Sequence, residues 1–122
     1  MVIFDTTVLI GLYRGNVTVK ESIEKMGVQP FFISCITSAE FMVGAKNADD
    51  LKTIENHLGN YTVLPLNEGI TQIFQTLIQT HLLAYRPGIA DTLIAATALY
   101  YDLPLFTHNK KHFQHMKDLR LV

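Results

Sequence analysis

Short apolar runs alternate along this chain with longer stretches of helical periodicity, and that order constrains the fold more than any other feature. Val2 to Phe4, Phe31 to Ser34, Tyr61 to Leu64 and Leu105 to Thr107 read as strands. Between them come a helix from Thr7 to Tyr13 that pauses at Gly15-Asn16 and resumes through Val19, Ile23 and Met26, and a helix through Phe41 and Val43 to about Lys46. A further helix spans Ala48 to Leu58. Gly27 and Gly59-Asn60 supply the stops. Asn67 can cap a long helix with an apolar stripe of Ile70, Ile73, Phe74, Leu77 and Ile78, and His81 to Gly88 reads as a connection turning at Tyr85-Arg86-Pro87-Gly88. Ile89 to Tyr100 is apolar nearly all round and so belongs in a core or a subunit interface. After the break at Asp102-Leu103-Pro104, Lys110 to Met116 reads as a short helix and Leu119 to Val122 as a last edge strand. Strands that alternate with helices predict an α/β domain with a parallel sheet.

At 122 residues, 48% of them hydrophobic, the expectation is one domain with a sizeable core. No apolar stretch approaches the roughly 20 residues of a membrane span, and no basic leader precedes the first strand. The expected location is therefore the cytoplasm. Cys35, the one cysteine, lies in an apolar run; it excludes an internal disulfide and reads as a buried, inert thiol. The net charge of −1 means that any nucleic-acid-binding field must be local.

Four polar residues recur where the chain should leave a strand and enter a helix: Asp5, Glu40, Asp91 and Asn109. In a parallel α/β domain the strand ends gather on one edge, so these side chains would share a pocket. Carboxylates gathered with no Lys or Arg in their motifs favour a hard, oxygen-loving cation. Each position also has a plainer reading. Asp5 and Asn109 suit helix N-caps, Thr37-Ser38-Ala39-Glu40 has the form of a capping box, and Asp91 suits the first turn of a helix. The joint pattern on separate units is what favours a common site.

The motifs Asp5-Thr6-Thr7-Val8-Leu9-Ile10, Thr37-Ser38-Ala39-Glu40-Phe41, Asp91-Thr92-Leu93-Ile94-Ala95-Ala96 and Thr107-His108-Asn109-Lys110-Lys111-His112-Phe113 resemble the successive motifs of PIN-domain ribonucleases. The resemblance is nearest to the VapC-type toxins of toxin–antitoxin pairs and runs in order over essentially the whole chain. It implies a three-layer α/β/α sandwich with a parallel sheet of four to five strands in the order 3-2-1-4-5. It implies that Asp5, Glu40 and Asp91 form the acidic pocket, that Asn109 takes the place of a fourth, often acidic, member, and that Thr6 and Thr107 support the site through their hydroxyls.

The activity so implied is that of an endoribonuclease using Mg²⁺ or Mn²⁺, with Asp5 and Asp91 on the principal ion and Glu40 acting through water or orienting the attacking water. Products would carry a 5′-phosphate and a 3′-hydroxyl. An amide at 109 lacks the charge that a second cation wants, so one well-bound ion is expected. The substrate would be RNA, such as tRNA or ribosomal RNA, and the partners an antitoxin and a second copy of the chain.

Lys110 and Lys111 follow Asn109 directly and are expected at RNA phosphates, with Arg14, Lys46 and Arg86 as weaker candidates. Lys117 and Arg120 read equally as a solvated surface, and His112 as a structural histidine or a general acid. A receiver domain is excluded because Leu64-Pro65-Leu66-Asn67 follows the third strand where its acid should be. A haloacid-type phosphatase is excluded by Thr7. The remaining alternative is a catalytically silent protein-binding module of the same fold.

Overall fold

The computed structural model describes all 122 residues. Four parallel strands, β1 (Val2–Phe4), β2 (Phe31–Ser34), β3 (Thr62–Leu64) and β4 (Leu105–Phe106), form one sheet in the order β3-β2-β1-β4. The register pairs Phe4 with Ile33 on one side and with Phe106 on the other. Strand side chains alternate between faces, and the core divides accordingly. Val2, Phe4, Ile33 and Phe106 pack with Val8, Leu9, Val19, Phe41 and Ile54 on one side of the sheet. Ile3 and Leu105 pack with Ile94, Ala95 and Ala98 on the other.

The first side is covered by α1 (Thr6–Tyr13), α2 (Val17–Met26), α3 (Cys35–Val43) and α4 (Ala48–Leu58), and the second by α5 (Glu68–Tyr85) and α6 (Ile89–Tyr100). This is the three-layer α/β/α arrangement. Thr92 and Ile94 to Ala98 are buried, so the all-round apolar character of α6 is accounted for by the core. Tyr100 lies against α5, where a Cβ at Gly69 would come within 2.3 Å of the ring. No helix is long and apolar enough to cross a membrane.

Four expectations are corrected. The connection begins at Arg86 instead of His81, because Gln79 to Tyr85 contains no breaker and α5 continues through it. Arg86 turns left-handed at φ 47° as the helix cap, its N–H bonding Leu82 O, and Pro87, with no N–H to extend the ladder, keeps the helix from continuing. The helix over Lys110 to Met116 is only a 3-10 turn at Lys110–His112, continued as successive three-residue turns. Phe113 N–H bonds Lys110 O, Met116 N–H bonds Phe113 O and Leu119 N–H bonds Met116 O, which buries Phe113, Met116 and Leu119 on one side. The last strand is reduced to a parallel bridge between Leu105 and Leu121. Cys35 opens α3 and is half-buried, not buried.

Candidate active site

The sheet order reverses direction at β1, since the chain runs outward to β2 and β3 and then returns to β4 on the other flank. The crevice at such a switch point, beyond the carboxyl ends of the strands, is where open α/β sheets bind ligands. Asp5 follows β1 and Thr107 follows β4 at that place, and the Asp5 N–H donates to Phe106 O at 3.1 Å.

Asp5 is 3% exposed and caps α1. Its Oδ1 accepts from Val8 N–H at 2.9 Å and from the Thr7 hydroxyl at 2.8 Å, and its Oδ2 accepts from the Thr107 hydroxyl at 2.5 Å. The Thr107 oxygen in turn accepts from Asn109 N–H at 2.9 Å. The cap reading of Asp5 is thus realised, and it coexists with a place at the strand ends. A carboxylate this deeply buried is costly unless its lone pairs are satisfied, and here neutral donors and a helix N-terminus do it.

Glu40 is held differently. The capping-box reading fails because α3 starts earlier: Ser34 is the cap, its hydroxyl oxygen accepting from Thr37 N–H at 3.1 Å, and Thr37 is buried inside the helix. Glu40 reaches across to α1, where Oε1 accepts from the Thr6 hydroxyl at 2.6 Å. The Thr6 and Thr37 hydroxyls are 3.1 Å apart. Since Thr6 gives its only proton to Glu40, Thr37 supplies the proton for that contact.

Asp91 sits in the first turn of α6, whose cap, Gly88, has no side chain to offer. Its Oδ2 lies 3.1 Å from His112 Nδ1, both side chains being partly exposed. Asn109 is half-buried, and its amide group makes no cap hydrogen bond.

No three His, Cys, Asp or Glu side chains converge in a geometry that could hold a metal ion. The acids meet instead as separate pairs with hydroxyl or imidazole partners. Their chemistry suits a hard cation nonetheless. The donors are carboxylates, and neither ion pair of the protein joins one of these acids to a Lys or Arg. Mg²⁺ usually keeps several waters and needs only one or two protein carboxylates, so a closed cluster of three is not required.

The largest cleft, about 1080 Å³, opens beside this corner and is lined by Thr107 to His112 on one wall. Its other wall includes Thr18, Ser22 and Lys25 of α2, residues to which the sequence assigned no role. A smaller hollow of about 200 Å³ contains Glu40 with Arg14 and Lys46. Among the remaining candidate cations, Arg86 stands at the turn after α5, away from both hollows' linings, and Arg120 is tied to Asp102 through its carboxylate at 3.0 Å and its carbonyl at 2.7 Å.

Two histidine clusters lie against the helical layers. His57 of α4 packs among Tyr13, Phe41 and Tyr61, with its Nε2 3.1 Å from the Tyr61 hydroxyl. Burial lowers the His57 pKa and pushes the Tyr61 phenol up to about 12. On the opposite layer His115 stacks on Tyr85 and meets His81; burial and then the charge of His81 lower its pKa, and its Nε2 has no hydrogen-bond partner.

Comparison with known proteins adds four findings. The family model of the PIN domain matches residues 2–119. The ribonuclease VapC10 of Mycobacterium tuberculosis is 32% identical over an alignment covering 98% of this chain and 91% of its own. Among solved structures, a toxin–antitoxin complex from Klebsiella pneumoniae superposes with a TM-score of 0.82 at 30% identity, covering 98% of this chain and 95% of the matched one. VapBC-1 from nontypeable Haemophilus influenzae gives 0.85 at 28% identity, covering 100% and 97%.

Proposed function

This chain belongs to the PIN-domain family, with the VapC-type toxin ribonucleases of toxin–antitoxin pairs, and we propose that it hydrolyses RNA phosphodiester bonds through a carboxylate-held Mg²⁺ or Mn²⁺. The observation that carries the metal is the charge balance at the strand ends. Asp5 stands at the switch point, Glu40 is tied to the neighbouring Thr6 and Asp91 to His112, and no Lys or Arg is paired to any of the three, an arrangement that a cation would relieve.

When bound, the ion supplies a Lewis acid for the phosphate oxygens and lowers the pKa of a water at neutral pH. Asp5 and Asp91 would hold the ion, and Glu40 would act through water or orient the nucleophile. Asn109, at the fourth position, adds an uncharged oxygen and favours a single ion. Thr107 fixes the Asp5 carboxylate from β4, and Thr6 fixes Glu40 from α1. His112 holds Asp91 at its Oδ2. Lys110 and Lys111 bind RNA phosphates at the rim, with Arg14, Lys46 and Arg86 as outlying contacts.

Working in the cytoplasm as a single domain, the protein would pair with an antitoxin and with a second copy of itself. Purification from the native host, followed by sedimentation, should give a complex larger than one chain of each; a free monomer with nothing co-purifying would remove that part of the reading.

The activity is tested on a mixed tRNA and ribosomal RNA pool, with Mg²⁺ or Mn²⁺, with EDTA, and with Asp5→Asn and Asp91→Asn in parallel. Cuts that need the metal, vanish in both variants and leave 5′-phosphates are expected. Ends carrying a 2′,3′-cyclic phosphate, or variants that cut as the wild type does, would overturn the mechanism.

A further inference from the structure

The wall of the large cleft formed by α2 is unexplained by any residue of the acidic site. Thr18, Ser22 and Lys25 follow at i, i+4 and i+7, which places them on one face of the helix, while Val19 on another face is buried in the core. They face the segment Thr107 to His112 across the cleft. Lys25 thus adds a third lysine to Lys110 and Lys111, and His108 and His112 line the same cleft.

Not one Asp or Glu lines this cleft, although the chain carries 11 acids and a net charge of −1. None of the three lysines has a carboxylate partner, because the only ion pairs are His112–Asp91 and Arg120–Asp102. A cleft with unpaired cations and no anion is a local positive field on a protein that has none overall. Its floor leads to the carboxylates: Thr107 bonds Asp5, and His112 contacts Asp91.

We propose that this cleft is a channel for the backbone of a single RNA strand, with α2 as its second wall and Lys25 as a substrate-positioning residue. A strand bound there spans Lys25 on one side and Lys110 and Lys111 on the other. Its scissile phosphate comes to rest beside Thr107, at the acids. The Thr18 hydroxyl adds a donor for a phosphate oxygen, whereas Ser22 has given its proton to Thr18 O and offers only lone pairs. The exposed His108, edge-on to Phe106 at 5.2 Å, presents a ring on which an unstacked base can lie. A single strand fits because its bases are free to turn toward such rings, as those of a duplex are not.

The inference rests on the ribonuclease reading for the identity of the polymer, and the experiment separates the two. Binding of a fluorescein-labelled single-stranded RNA of mixed sequence is followed by anisotropy in EDTA over a range of salt, for wild type, Lys25→Gln and Lys20→Gln. Lys20 is exposed on the same helix and lies outside the cleft, so it controls for net charge. The expected result is weaker binding by Lys25→Gln, with the slope of log affinity against log salt reduced by about 0.7, the value for one lost contact to a single strand. Lys20→Gln should keep the wild-type slope. In the metal-supplemented cleavage assay Lys25→Gln should raise KM and leave kcat nearly unchanged. If Lys25→Gln and Lys20→Gln behave alike while wild type still cuts RNA in an Asp5-dependent way, the channel is wrong and the ribonuclease stands. If wild type binds the strand through Lys25 but no metal-dependent cutting is seen, the channel stands and the nuclease reading falls.

Discussion

Asp5 and Glu40 are both acids of the same candidate site, yet the protein holds them by opposite means. Asp5 is almost fully buried, caps a helix, and receives bonds from α1 and from across the sheet at Thr107. Its position is a consequence of folding itself, because the same bonds that orient it join β1, α1 and β4. Glu40 is exposed and held by one hydroxyl, Thr6, which is backed by Thr37 from α3. Asp91 resembles Glu40, with a single contact to His112. The candidate site therefore has one acid fixed by the fold and two held by single contacts.

The largest effect expected from this contrast is at Asp5. Asp5→Asn should lower cleavage by at least about a hundredfold, in the range seen when metal affinity is disturbed. Stability should change little, because Asn caps a helix nearly as well as Asp. Asp5→Ala should lose the activity and also about 1 kcal/mol or more of stability, since the cap and the acceptor for buried Thr107 vanish together. Thermal unfolding of the two variants beside their cleavage rates checks this; equal melting temperatures would mean that the corner is not part of what holds the fold.

Next comes the bond across the sheet. Thr107→Val is nearly isosteric and leaves Asp5 Oδ2 and Asn109 N–H without their partner, so a loss of about 1–3 kcal/mol is expected, with a fall in rate of about 10–100-fold. Thr107→Ser should restore most of both. At the looser acid, Glu40→Ala should cost less than about 1 kcal/mol, because the carboxylate is exposed and Thr6 stays paired with Thr37, while still lowering the rate. Urea titration of Thr107→Val and Glu40→Ala ranks the two, and an equal loss at Glu40 would erase the distinction between fixed and loosely held acids.

Much of this contrast was legible in the sequence, and the limits were physical. The bounds of β2, α4 and α6 match the sequence reading, with Gly59-Asn60 stopping α4 and Gly88 and Asp102-Leu103-Pro104 bracketing α6, and α5 was underestimated because a polar His81 looks like a loop while remaining a tolerable helix residue. Asp5 and Asp91 stand out as acids beside apolar runs. The partner of Glu40 did not, because Thr6 is 34 residues away and only the packing of α1 on α3 brings them together. Within that helix two hydroxyls, Ser34 and Thr37, were equally suited to cap, and the continuous passage from β2 into α3 decides for Ser34. The α2 wall was hidden for a related reason: a polar helix face reads as solvated until the segment opposite it is known.

The smallest effects concern pH and contrast the two histidine clusters. Burial lowers the His57 pKa below 6.5, so between that value and 6.5 the unfolded chain binds more protons than the folded one. Stability contributed by neutral His57 is present above 6.5 and is lost as pH falls through the folded pKa. Tyr61 acts at the other end. Its pKa rises from 10.0 to about 12, so the folded protein keeps a proton that the unfolded chain has released, and stability falls as pH rises across that window. Tyr61→Phe should flatten the alkaline limb and His57→Gln part of the acid limb. The acid remainder belongs to His115, whose lowered pKa shares the cause of burial and adds the charge of His81. Denaturant midpoints measured from acid to alkaline pH test the assignment. If His57→Gln removed the whole acid limb, the His81–His115 cluster would be without consequence for folding, and the two layers of helices would differ in acid sensitivity as well as in their place beside the site.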